Sequence, residues 1–464
     1  MSQERNRGLL SAGLLLILAR ARITLCRKPK DLHWLTLSAD MTDFIQYTRL
    51  ENGLTLLTEK MPSLRSATIG IWVRRGSRHE TPEMNGICHF IEHTVFKGTN
   101  RRSALDIAIE SDRMGGHFDA FTTHEMTGFT SKVADKSVGQ AFDLLADMIA
   151  NPRFDDEDLR REQRVIIEEM KMVEDTPDEY LGELFNAAYF PNHPLGLPIE
   201  GTEDKVSSFD REKTAAFHAQ EFAPENLVIA AAGNVEHSYL LELASRSFSQ
   251  PAGSSTRSID PYGSPIPAAP ILIERKAELE QAHLIIATPW PDARSEDRYA
   301  ASLLGSILGG GTSSRLWQAI REERGLAYSV GAGGSAFSDV GVFAIYAGTS
   351  PEHVDDVVDL SIEELRRIVA EGVTDEELRL VKDQSTSSIL LGLESTSSRA
   401  GALARQEIIH GRRISPDEMI QRLEAVEIDD ITRIAYERFK QQPLALGALG
   451  NLNGFKVDRS RLVV

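Results

Sequence analysis

The chain has 464 residues, room for two to four domains at about 100–200 residues each. Hydrophobic residues make up 41% and charged residues 26%, which excludes a disordered or fibrous chain. The net charge of −18 argues against a nucleic-acid partner and suits basic ligands. The two cysteines, Cys26 and Cys88, cannot build a disulfide framework.

The first apolar run, residues 8–19, is about half of the roughly 20 residues that a membrane-spanning helix needs, so no stable membrane insertion is expected. Arg5 and Arg7 before it and Ala19-Arg20-Ala21 after it give it the form of a marginal signal peptide. Its arginines, with Glu4 the one acidic residue before Asp31, would also suit an organelle transit peptide. A third reading makes residues 1–40 an upstream extension or an overlong start. Met41 is followed at once by TDFIQYTRLENGLTLLTEK, two strand-like runs around Asn52-Gly53, a hairpin pattern. We take the third reading, with the folded protein starting near Met41.

From 41 to about 250, strand-like runs at 66–74 and 118–133 alternate with helical ones at 86–96, 103–114, 136–150 and 155–173. Residues 251–270, PAGSSTRSIDPYGSPIPAAP, have the composition of a linker. Residues 271–464 again mix strands, at 282–288 and 342–347, with long helical stretches. The two halves read as weak copies. QAFDLLADMIANPRFDDEDLRREQRVI and HVDDVVDLSIEELRRIVAEGVTDEELRLVKDQ each run helix, turn, acidic cap, helix, and Leu159 and Leu378 stand 219 positions apart. Duplication on either side of a linker predicts two similar lobes, 41–250 and 271–464, facing one another across a cleft.

The sharpest motif is His89-Phe90-Ile91-Glu92-His93, on a predicted helix. At about 100° per residue, both histidines and Glu92 fall within one sector of the helix. Two imidazoles one turn apart can hold a Zn²⁺ at about 2.0–2.1 Å, and the neighbouring carboxylate can then act as base toward a metal-bound water. The flanks Ile87, Phe90, Ile91, Val95 and Phe96 are apolar, so three ionisable groups there would be costly without a metal or partners. A third ligand is expected from the helix beginning near Asp155, where Glu162, Glu168 and Glu169 are candidates. Glu162 and Glu169 are two turns apart and share a face, with Val165, Ile166 and Met170 partly burying the helix. Spacing alone does not choose between Glu168 and Glu169.

With these residues the chain resembles the zinc metallopeptidases related to pitrilysin, insulin-degrading enzyme and the β subunit of mitochondrial processing peptidase, as a short bacterial-type member. The resemblance runs from about Asn52 to Arg405, on GICHFIEHTVFKGT, REQRVIIEEMKMVEDTPD, HPLGLPIEGTED and SSRLWQAIREERGLAYSV. It implies an α+β fold of two homologous lobes, each a mostly antiparallel sheet packed with helices. It implies one Zn²⁺ per chain on His89, His93 and Glu169, with Glu92 as base and Glu162 orienting the site. The second half has no copy of the motif and is expected to hold no zinc. On residues alone Arg321 is one of three arginines in a charged helix, with Arg315 and Arg324. The resemblance makes Arg321 and Tyr328 a pair reaching across the cleft to the substrate carbonyl, two suitable donors to an oxyanion.

GGHFDAFTTHEMTGF, from Gly115 to Phe129, matches the family's substrate-side edge strand. The backbone of Ala120 is expected to pair with an extended peptide. Asp119 stands where Asn is common and would favour basic substrate residues, and Phe129 stands where Tyr is frequent. Cys88 reads as a small core residue, Gly309–Ser314 as a turn, and His193 as part of a turn. His117 and His124 fall on no ligand spacing.

The expectation is a zinc endopeptidase of extended or unfolded peptides, working as a homodimer or beside a motif-lacking homologue, in the bacterial cytoplasm. A targeting role for residues 1–40 would make it exported or organellar. The rivals are a non-catalytic scaffold subunit of the same fold, which typically loses motif residues, and a small-molecule lyase sharing the inverted motif, which uses a Cys ligand that this chain lacks downstream.

Overall fold

Asn52-Gly53 reverses the chain, with Gly53 in the left-handed region at φ 87°, between β1 (Ile45–Arg49) and β2 (Thr55–Lys60). The run that follows, β3 (Ser66–Val73), is buried along almost its whole length, as a strand covered on both faces must be. Ala67, Ile69, Ile71 and Val73 turn into one core, and the alternate Thr68 meets a helix from the far half of the chain. The computed structural model describes residues 44–250 and 262–464. The targeting readings of residues 1–40 and most of the expected linker lie outside these.

After β3 come α1 (Ile87–Thr94), α2 (Ala104–Met114), β4 (His117–Thr122), β5 (Thr127–Ala134), α3 (Val138–Ala150), α4 (Asp156–Glu174) and α5 (Pro177–Tyr189). The first half closes with α6 (Glu203–Val206), α7 (Arg211–Glu221), β6 (Leu227–Gly233) and α8 (His237–Ser247). The expected single run at 118–133 is two strands. Thr123 Oγ1 accepts the N–H groups of Glu125 and Met126, a side-chain-driven turn that periodicity does not reveal. The strands order β1-β2-β6-β3-β5-β4. β2 and β6 run parallel, while β3 is antiparallel to both β5 and β6. β4 is the edge.

The second half repeats this plan with β7 (Ile271–Arg275), β8 (Ala282–Trp290), α9 (Arg298–Gly309), β9 (Ala327–Ala336), β10 (Gly341–Thr349), α10 (Val354–Glu371), α11 (Asp375–Gly392) and α12 (Thr396–His410). α13 (Pro416–Glu424), α14 (Ile428–Ala435) and β11 (Ala445–Gly450) complete it. Its sheet orders β7-β11-β8-β10-β9, which is β2-β6-β3-β5-β4 over again. The parallel pair recurs in the same place, and β9 is the edge matching β4. The fold is therefore α+β in two homologous lobes, as expected.

Each lobe lends a helix to the other's sheet. α12 lies on the first sheet, with Thr68 Oγ1 2.8 Å from Thr396 Oγ1 and Arg74 Nη2 2.8 Å from Glu407. Buried Glu59 pairs with Arg399. α5 lies on the second sheet, where Phe185 and Tyr189 pack with Ala287 and Ala445. Gly447 is needed there, since a Cβ would stand 2.9 Å from the Phe185 ring. Residues from Tyr47 to Val464 form one compact unit. No helix among the described residues is long and apolar enough to cross a membrane.

Candidate metal centre and catalytic site

α1 starts at Gly86, whose φ of 93° is left-handed. Buried Glu80 accepts the N–H groups of Gly86 and Cys88, both at 2.8 Å, filling donors that a helix start leaves open. Burial pushes the Glu80 carboxyl up to about 7, against the pull of those N–H bonds. Ile87, Phe90, Ile91 and Val95 are buried in the first core, and Cys88 is a free buried thiol. This apolar anchoring turns His89 and His93 to the other side, with ring centroids 4.6 Å apart.

α4 crosses α1, fixed by buried Leu159 and Ile166 and by Gln163 donating to the Phe209 carbonyl at 3.0 Å. Val165, expected among its buried residues, is 40% exposed, because the buried stripe runs through 159, 162 and 166 instead. The crossing brings Glu169 to the histidines. One ligand atom each from His89, His93 and Glu169 lie within 4.8 Å of one another. Glu168, level with Glu169 by spacing, points away to Lys171 at 2.7 Å. Among the described residues this is the one such group of three metal-ligating side chains.

Burial pushes the His89 pKa down to about 4, so its ring is neutral and keeps a lone pair. Its Nδ1 is buried without a hydrogen-bond partner. Burial also lowers His93, but Glu162, Glu169 and Glu92 outweigh it and hold His93 above the usual value. A metal would displace that proton. Burial raises Glu169, with His93 opposing and Glu200 adding to the rise. Burial, with Glu200 adding to it, also pushes Glu183 up to about 7, so acidic groups adjoin the cluster. Two imidazoles and a carboxylate are a donor set that fits Zn²⁺.

Glu92 is buried, and burial raises its pKa. Thr122, at the end of edge strand β4, donates its hydroxyl to Glu92 Oε2 at 2.6 Å. Glu162 Oε2 stands 3.4 Å from His93 Nδ1, and Glu162 Oε1 stands 2.8 Å from Lys97 Nζ. On β4, Asp119 opposes Thr130 and Ala120 opposes Phe129. Asp119 is exposed and Ala120 half-buried. Phe129 is fully buried against Phe96 and Phe222.

In the second half, the helix leading to Arg321 ends in a π-turn, Trp317–Glu322. Arg321 stacks on Trp317 at 4.1 Å and on Tyr328 at 5.2 Å, so the structure brings this pair together. No hydrogen bond, ion pair or ring contact among the described residues joins either one to His89, Glu92, His93, Glu162 or Glu169. Arg315 is not a solvated charge. It grips Glu377 through two bonds, at 2.7 and 2.9 Å. His193 accepts from Leu195 N–H as part of a tight turn, and His124 bonds Ser77 at 2.8 Å. Thr122, Lys97 and Glu80 escaped the sequence reading. Only Lys97 carried a signal, one turn past His93 on the motif helix.

Duplicated sheets with a His-His-Glu cluster in one lobe define a two-lobed α+β protein with a candidate metal centre. The family model described as Insulinase (Peptidase family M16) matches residues 55–203, and the one described as Peptidase M16 inactive domain matches 208–385. The chain belongs to the M16 peptidase family. It is 36% identical over 420 residues to an uncharacterized zinc protease of Streptomyces coelicolor, covering 89% of this chain and 91% of that one. It is 37% identical over 391 residues to one of Bacillus subtilis, covering 84% and 95%. A protease from Helicobacter pylori shares the fold at a TM-score of 0.81 and 21% identity, over 87% of this chain and 99% of that one. A chain of Complex III2 from Candida albicans shares it at 0.78 and 20% identity, over 90% and 100%.

Proposed function

We propose that the protein is a zinc-dependent endopeptidase of extended or unfolded peptides, with one zinc per chain held by His89, His93 and Glu169. The observation that carries this reading is the convergence of these three ligand atoms within 4.8 Å beside a buried carboxylate, Glu92. Zinc bound there would act as a Lewis acid and lower the pKa of a coordinated water. Glu92 would serve as general base and then general acid, accepting a proton from the attacking water and giving it to the leaving amine, a task suited by its raised pKa. Thr122 occupies Oε2 of that carboxylate, which holds it in place and leaves Oε1 for the proton. Glu162 accepts from His93 Nδ1, so His93 offers Nε2 to the metal.

Thr122 also ties the base to β4, along which a peptide adds as a further strand beside Ala120. Asp119 and the acidic groups Glu183 and Glu200 favour basic side chains in that peptide. Arg321 and Tyr328, already stacked together, supply donors to the developing oxyanion. The chain works as a homodimer or beside a motif-lacking homologue.

The test is zinc content together with cleavage of a quenched, Arg-containing peptide, for wild type and Glu92→Gln. The reading expects one zinc in each, with activity in the variant down by at least about 10²-fold. Wild type without zinc would overturn it and favour a scaffold subunit.

A further inference from the structure

Glu162 is almost sealed from solvent, with 3% of its side chain exposed, and its two oxygens are divided between two partners. Oε2 faces His93 Nδ1 at 3.4 Å, and Oε1 faces Lys97 Nζ at 2.8 Å. Lys97 ends the 3-10 turn Val95–Lys97 that continues α1, four residues beyond His93. One helix therefore supplies both the metal-site imidazole and the cation, and α4 supplies the carboxylate between them. No other cation pairs with Glu162 among the described residues.

We propose that Lys97 is a positioning residue for the metal centre: by holding Glu162 Oε1 it fixes Oε2 on His93 Nδ1 and so aims His93 Nε2 at Glu169. A buried carboxylate deprived of its cation is strongly disfavoured where it stands, so Glu162 would leave its place and release the His93 ring. The ammonium's own repulsion of a divalent ion opposes metal binding. Glu162 at hydrogen-bond distance cancels most of that charge, and orientation dominates. The inference rests on the zinc reading above.

The experiment loads wild type, Lys97→Met, Lys97→Gln, Lys97→Arg, Glu162→Gln and the Lys97→Met/Glu162→Gln double variant with zinc and titrates each with a chelator. Thermal unfolding of the zinc-free proteins controls for folding. Lys97→Met and Lys97→Gln should weaken zinc retention about 10-fold or more, and Lys97→Arg should recover most of the loss. A neutral amide at 162 needs no counter-ion, so Lys97→Met should then cost less than about threefold. Equal retention by Lys97→Met and wild type, or an equal loss in both backgrounds, would overturn the role of Lys97. Wild type without zinc would overturn the metal reading itself.

Discussion

Glu168 and Glu169 are neighbours of identical chemistry, separated by about 100° around α4, and that rotation decides their roles. Glu169 meets His93 Nε2 at 3.5 Å, while Glu168 sits 69% exposed on Lys171. Glu169→Gln should lower zinc affinity at least about 10-fold, the loss already seen when mere supporting residues of metal sites change. Glu168→Gln should retain zinc as wild type does. Metal analysis after dialysis against a chelator separates the two, and equal behaviour would contradict the assignment. Thr122 shows the same dependence on placement. A threonine in a strand is unremarkable in sequence, and only the passage of β4 beside α1 puts its hydroxyl on Glu92.

Among the elements, α11 shows how a charge pattern becomes a support for the second-half pair. Thr374 and Glu377 form a capping box at its start. Glu377 also grips Arg315, on the helix that ends in the π-turn carrying Arg321. Burial works to raise the Glu377 pKa, but Arg315 and the Thr374 N–H hold it down at about 2, against an ordinary 4.5. Because the folded value is depressed, the ionised pair stabilises the fold fully above pH 4.5 and loses that contribution as pH falls toward 2. Glu377→Gln should cost about 2–3 kcal/mol at pH 7. Urea unfolding should show the gap from wild type narrowing between pH 5 and pH 3. A gap that stays constant with pH would mean that Glu377 stabilises by shape alone.

At the scale of the whole molecule, neither half covers both faces of its own sheet. The first sheet needs α12 and the second needs α5, so a cut at the linker bares an apolar or polar sheet face on each fragment. The hairpin tips add a buried clasp, in which Arg78 reaches Glu125 of its own lobe and Asp339 of the other, both at 2.9 Å. Glu125 also accepts from Ser338 N–H. Residues 44–250 and 262–464 produced separately should each aggregate or lack cooperative unfolding, and produced together they should co-purify as a folded complex. A cooperative, soluble 44–250 on its own would show the exchange to be dispensable.

The motif helix, the two-turn spacing of Glu162 and Glu169, the Asn52-Gly53 hairpin and the duplication were all legible in the linear chain. These follow from helix and strand periods set by neighbours a few residues apart. The turn at Thr123, the hydroxyl on Glu92, the Lys97–Glu162–His93 chain and the exchange of α5 and α12 were not, and residue spacing left Glu168 and Glu169 level until the family resemblance pointed to Glu169. Each depends on how elements pack across gaps such as the 69 positions from His93 to Glu162. No local period carries that information. It is settled by which apolar faces bury together and by which buried polar atoms then find partners.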